Sequence, residues 1–112
     1  MAMLVVIDKS VTPDQIQQMA QDYVGYIKFV VDIDKKILTG GGERHVEGEQ
    51  KLLELGSKQE DLWGGGLDWE TKEIDYNSMI NIRPSQDNPS RDVLSPSIRK
   101  QIDTIVGQLF GL

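Results

Sequence analysis

His45 is the only histidine in 112 residues, and its neighbours are acidic. If the surrounding segment is helical, His45 and Glu49 stand four apart on one face, with Glu43 and Glu47 close by. One imidazole with carboxylates suits Mn²⁺, Fe²⁺ or Zn²⁺, or makes His45 a general base oriented by Glu49. There is no second histidine and no H-E-x-x-H spacing, so no metal is expected, and His45 and Glu49 are the sole candidates for one. The plainer alternative is a solvated or hydrogen-bonded structural histidine.

The run Asn81 to Arg91 is the second place where chemistry could gather. Arg83 falls at a predicted strand end, and Pro84 stiffens the loop beyond it. Ser85, Gln86, Asn88 and Ser90 can all hydrogen-bond, and Arg91 adds a second guanidinium. Two arginines converging there would clamp a carboxylate or phosphate. In a chain of net charge -6, Arg83 could instead pair internally with Asp61 or Glu54. Upstream, Gln59 to Trp69 joins acids, Asp61 among them, to Trp63 and Trp69. Indole rings stack on sugars or bases, but with aromatics at only 6% the core or a dimer interface has first claim on both.

Other chemistries are excluded by particular residues. Without cysteine there is no disulfide, thiolate nucleophile, zinc finger or iron–sulfur cluster. Gly40-Gly41-Gly42 and Gly64-Gly65-Gly66 lack the lysine and hydroxyl of a phosphate loop and the third spaced glycine of a dinucleotide fingerprint. They read as a turn and as a bulged or edge strand. Asp32 to Glu43 has acids at three calcium-loop positions, but Lys36 and Ile37 stand where an oxygen ligand and a glycine belong. No serine sits in a nucleophile elbow.

The elements that must position these residues are well marked. Met3 to Ile7 is a continuous β-branched run and predicts a buried strand. Thr12 and Gln15 form a capping box around Pro13, Val11 and Ile16 occupy the staple positions, and Ile16, Met19, Ala20, Tyr23 and Val24 make an apolar stripe. Tyr26 to Ile33 is the next strand, Asp34-Lys35-Lys36 a turn, and Ile37 to Thr39 a short return. Glu43 to Leu55 suits a helix stopped by Gly56, although Gly48 weakens it by about 1 kcal/mol; Lys51 to Leu55 also reads as strand. Leu62 to Trp69 is a glycine-loosened strand, Glu70 to Glu73 a hairpin loop, and Ile74 to Arg83 the return strand, with Tyr76, Ser78, Ile80 and Ile82 on one face. Ser95 and Pro96 open a last helix whose stripe is Ile98, Ile102, Ile105, Val106 and Leu109, closed by Gly111.

These elements predict an α+β domain: a two-layer sandwich with a mixed sheet of about five strands, beginning with a parallel β-α-β unit, its helices on one face and the C-terminal amphipathic helix packed on the sheet. The length suits one domain spanning 1–112. Eighteen acids against twelve bases make nucleic acid a poor partner. The short apolar start, without a basic flank, reads as a strand rather than a signal peptide or membrane span, and the absence of cysteine fits the cytoplasm.

Three stretches carry a resemblance: Gly41-Gly42-Glu43-Arg44-His45, the run Leu52 to Gly64, and Ser78 to Gln86. They resemble a family of small prokaryotic proteins catalogued only as a domain of unknown function, and the likeness extends from the first strand to the last helix. It implies a prokaryotic, stand-alone domain and transfers no activity, cofactor or catalytic residue. It directs attention to His45, Gln59, Asp61, Trp63, Asn81 and Arg83. Two functions are expected to compete. One is a self-associating interaction module without cofactor. The other is a ligand-binding domain or hydrolase that holds a small anion through Arg83, Arg91, Asn81, Gln59, Ser85 and Trp63, with His45 and Asp61 moving protons. The second requires His45, Asp61 and Arg83 to share one concave site.

Overall fold

A computed structural model describes residues 4–21 and 25–112. Within them the chain runs β1 (Leu4–Ile7), α1 (Pro13–Met19), β2 (Tyr26–Asp32), β3 (Ile37–Gly41), α2 (His45–Glu54), β4 (Leu62–Asp68), β5 (Ile74–Asp75) and α3 (Pro96–Phe110). Short 3₁₀ turns occupy Gln59–Asp61, Met79–Asn81 and Pro84–Gln86. Met3, Tyr23 and Val24, assigned above to a strand and a helix stripe, lie outside the described residues.

The helix starts follow their local signals. Thr12 accepts from the Gln15 backbone at 3.2 Å, Gln15 Oε1 accepts from the Thr12 backbone at 3.0 Å, and Pro13 takes the first helical position. Ser95 caps α3 by accepting from Ile98 N, and Gly111 ends it at φ 71°. The ambiguous stretch around His45 is helical. Gly48 is the reason α2 can lie close to the sheet, because a Cβ there would fall 2.2 Å from Thr39 Oγ1.

The sheet order is β1-β3-β2-β4-β5, and every pairing is antiparallel. The α+β class holds, whereas the mixed sheet is corrected. β1 and β2 do point the same way, as a β-α-β start requires, but β3 lies between them. The cause is local. Asp32 Oδ1 accepts from the backbones of Asp34 and Lys35, both at 2.9 Å, and this tight turn folds β3 straight back beside β2.

Both faces of the sheet are covered, so the expectation of helices on one face is also corrected. Ile27, Phe29 and Val31 of β2 join Met19, Trp63, Ile102, Ile105 and Val106 in the main core under α1 and α3. Val30 points the other way, into a smaller cluster with Leu52 of α2 and Leu62. The run Phe29-Val30-Val31 is apolar on consecutive positions, which only a strand buried on both faces can use.

β4 is interior, flanked by β2 and β5, rather than an edge. The return strand is far shorter than predicted and covers only Ile74–Asp75. Beyond it the Asn81 side chain takes the place of a strand. Its Oδ1 accepts from Gly64 N at 2.8 Å and its Nδ2 donates to Gly64 O at 2.9 Å. A carboxamide carries the same donor and acceptor as a peptide, so the ladder at Gly64 is satisfied while the backbone turns away. The predicted alternation of Tyr76, Ser78, Ile80 and Ile82 is therefore not formed.

Candidate functional site

The α2 side of the sheet carries a groove. His45 opens α2, and Glu47 Oε1 holds the approach by accepting from the backbones of Glu43 and Arg44, both at 2.9 Å. His45 Nε2 lies 2.7 Å from Gly65 O. A carbonyl only accepts, so Nε2 carries the proton and Nδ1 is the lone-pair nitrogen of the neutral ring. Burial pushes the imidazole below its ordinary 6.5, Lys28 adds to this, and the Gly65 carbonyl and Asp75 oppose it. The ring is neutral at pH 7.

Strand alternation puts Tyr26 and Lys28 of β2 on this face, beside Gly64 and Gly66 of β4. The Tyr26 hydroxyl donates to Asp75 Oδ2 at 2.6 Å. Burial first, then Asp75, raise the phenol far above its ordinary 10.0, so it stays protonated. Lys28 Nζ donates to Glu43 O at 2.6 Å. The glycines keep the floor low. A Cβ on Gly66 would stand 1.8 Å from Tyr26 Oη, and one on Gly64 would stand 2.7 Å from Ser78 Oγ and 3.1 Å from His45 Cδ2.

Above this floor is a cavity of about 420 Å³, walled by Tyr26, Lys28, His45, Asp75, Asn77, Ser78, Met79 and Arg91. A second cavity of about 250 Å³ shares Lys28, His45, Ser78 and Met79 with it and adds Arg44, Val46 and Ile80. Ser78 lines the same cavities as His45, and its Oγ accepts from Ile80 N at 3.3 Å. A separate hollow of about 400 Å³ between Ile33 and α3 is lined mostly by exposed lysine, glutamine, serine and threonine side chains, with no buried polar group.

The second polar region lies at the start of β4. The Arg83 guanidinium donates to the carbonyls of Gln59 and Leu62 and stacks 3.9 Å over the Trp63 ring. Burial pulls it below its ordinary value, and the carboxylates of Glu49 and Asp61 work against that pull. Asp61 itself is raised, by burial first and then by Asp32, Asp34 and Glu60. Among the described residues Arg83 Nε, Glu49 Oε2 and Trp63 Nε1 are buried without a hydrogen-bond partner. Asn81 is wholly buried, its Nδ2 shared among the carbonyls of Gly64, Tyr76 and Arg91. Asn88 ties the same loop through its Nδ2 to the carbonyls of Asn81, Ser90 and Asp92.

A model for a family described as proteins of unknown function, DUF5674, matches residues 5–109. The chain belongs to that family. No curated protein and no solved structure matches it.

In this DUF5674 chain the predicted site residues divide between the two regions. His45 and Arg91 line the groove. Arg83, Asn81, Gln59, Asp61, Trp63 and Glu49 gather at the start of β4, and Ser85 is exposed on the turn Pro84–Gln86, lining neither cavity. The main-chain partners of His45 and Arg83, Gly65 and Leu62, are about 10 Å apart along the strand. The expected single cluster of His45, Asp61 and Arg83 is thus two. The expected clamp of Arg83 with Arg91 is corrected, because the two stand in different regions: Arg83, 9% exposed, donates to two main-chain carbonyls, Arg91 lines the groove, and Trp63 is 1% exposed. The internal role of Arg83 is real, though its hydrogen-bond partners are carbonyls rather than an ion-paired acid. Among the described residues no three histidine, aspartate or glutamate side chains gather as metal ligands, and no helix is long and apolar enough to cross a membrane. Sequence reasoning missed Tyr26, Lys28, Asp75 and Ser78. A usable signal existed for the first two: polar groups on alternate positions of an otherwise apolar strand.

Proposed function

We propose that this DUF5674 chain is a binding domain whose groove on the α2 side takes a small anion. Charge carries the reading. The chain has eighteen acids against twelve bases, yet the two joined cavities are lined by three cations, Lys28, Arg44 and Arg91, against one carboxylate, Asp75. A cleft of net positive charge in an acidic protein focuses potential on an anionic ligand. The groove replaces Arg83 and Asp61 with Lys28 and keeps His45 and Arg91 from the sequence-based anion site. Residence in the cytoplasm, inferred from cysteine usage, belongs to the same proposal.

Isothermal titration with inorganic phosphate and with acetate at low ionic strength tests it. Saturable binding of at least one anion is expected, weakened about tenfold or more in Lys28→Met and Arg91→Met, the loss of one charge-assisted hydrogen bond. No saturable binding of either would remove the reading.

Self-association is the second reading, supported by apolar side chains left in water on one loop: Met79 at 63%, Ile82 at 43% and Leu94 at 51% exposure. Sedimentation showing a strict monomer at the highest attainable concentration sinks it.

A further inference from the structure

Resting on the anion-binding reading, we infer that the ligand is amphiphilic: a carboxylate or phosphate head carried on a short aliphatic chain. The two cavities meet at Lys28, His45, Ser78 and Met79, but their walls differ in kind. The larger is walled mainly by hydrogen-bonding and charged groups. The smaller adds Val46, Ile80 and Arg44 to the shared Lys28, His45, Ser78 and Met79.

Val46 and Met79 remain 45% and 63% exposed. Val46 sits in the first turn of α2, beside the Glu47 cap. Met79 begins the turn Met79–Asn81, whose start is held by Ser78 Oγ accepting from Ile80 N and whose end is held by buried Asn81. Two exposed apolar side chains from separate elements therefore flank one wall of a cationic groove. Arg91, on the wall of the larger cavity, has Nη2 2.9 Å from the Sδ of Met79, which lines both. A head held by Lys28 and Arg91 directs whatever it carries along Met79 toward Val46. The smaller cavity, about 250 Å³, has room for a chain of roughly eight carbons at about 30 Å³ per water-sized group. Each methylene so buried strengthens binding about fourfold. A purely polar anion would leave this wall wet and forgo that gain.

The test titrates the full chain with inorganic phosphate, acetate, octyl phosphate, octanoate and octanol, each below its micelle-forming concentration or solubility limit. At least one alkyl anion is expected to bind about tenfold or more tighter than its short counterpart and tighter than octanol, and which one does so identifies the head. The ratio of alkyl to short-anion affinity is expected to collapse toward one in Met79→Gln and in Val46→Asn, both exposed positions that folding tolerates. Equal affinities for short and alkyl anions overturn the amphiphile and leave the anion reading standing. Octanol binding as tightly as both alkyl anions overturns it too, since no head would then be read. Silence from inorganic phosphate and acetate overturns the anion reading itself.

Discussion

Arg83 and Arg91 lie eight residues apart on one loop, and their guanidinium groups meet opposite surroundings. Arg83 is 9% exposed, clamped by two carbonyls, stacked on Trp63 and compensated by Glu49 and Asp61. Arg91 is exposed at the wall of the groove, its Nη2 beside the Met79 sulfur. The same side chain is a structural pin in one place and, in the proposed anion site, a recognition group in the other. What separates them is burial: main-chain carbonyls take both terminal nitrogens of Arg83, whereas Arg91 faces the groove. A buried guanidinium depends on compensation from within the protein, whereas one in a cleft can turn donors to a ligand.

The largest expected effect tests the pin. Arg83→Met leaves the carbonyls of Gln59 and Leu62 and the charge of Glu49 without their cation, and is expected to destabilise the fold by about 3–5 kcal/mol in urea denaturation. Arg91→Met is expected to stay within about 0.5 kcal/mol of the parent. Similar losses for the two variants would break the contrast.

A smaller effect tests the groove floor. In Gly64→Ala the new methyl group meets Ser78 and His45, and overpacking of this kind costs about 1–3 kcal/mol. Anion affinity is expected to fall along with stability. Stability falling while affinity holds would mean that the ligand does not reach the floor.

The smallest effect is a slope with pH. His45 is depressed below 6.5, so on the acid side of that value the unfolded chain takes up a proton that the folded protein resists. The parent therefore loses stability as pH falls below 6.5 toward the lower folded value, and His45→Gln, which can still donate to Gly65 O, is expected to lose that slope. Asp61 is raised above 3.8 and acts in the opposite sense at lower pH, so the two proteins are compared just below neutrality. A bound anion favours the imidazolium, and affinity is expected to rise over the same interval. An unchanged slope in His45→Gln would show that the imidazole is not buried as described.

The elements were legible in proportion to how local their causes are. Thr12 with Gln15, Pro13, Ser95 with Ile98, and Gly111 act over three or four residues, and each does what its spacing predicts. The site was half legible. His45 and Arg91 could be singled out as residue types, but Asn81 reads as one more strand residue until Gly64 is seen beside it, seventeen positions away. Tyr26 and Asp75 are forty-nine apart and meet only because β4 lies between their strands.

By itself the sequence determined the α+β class, the capped helices, the absence of thiol chemistry and the acidity against which a cationic groove stands out. Tertiary structure alone decided that the sheet is antiparallel, that α2 covers its second face, and that His45 and Arg83 belong to different regions. The reason is physical. Caps and stripes are energies between near neighbours, written in short spacings. Strand order and the satisfaction of a buried donor depend on which distant segments the whole core brings together, and a single asparagine or arginine has no local preference that reveals its partner.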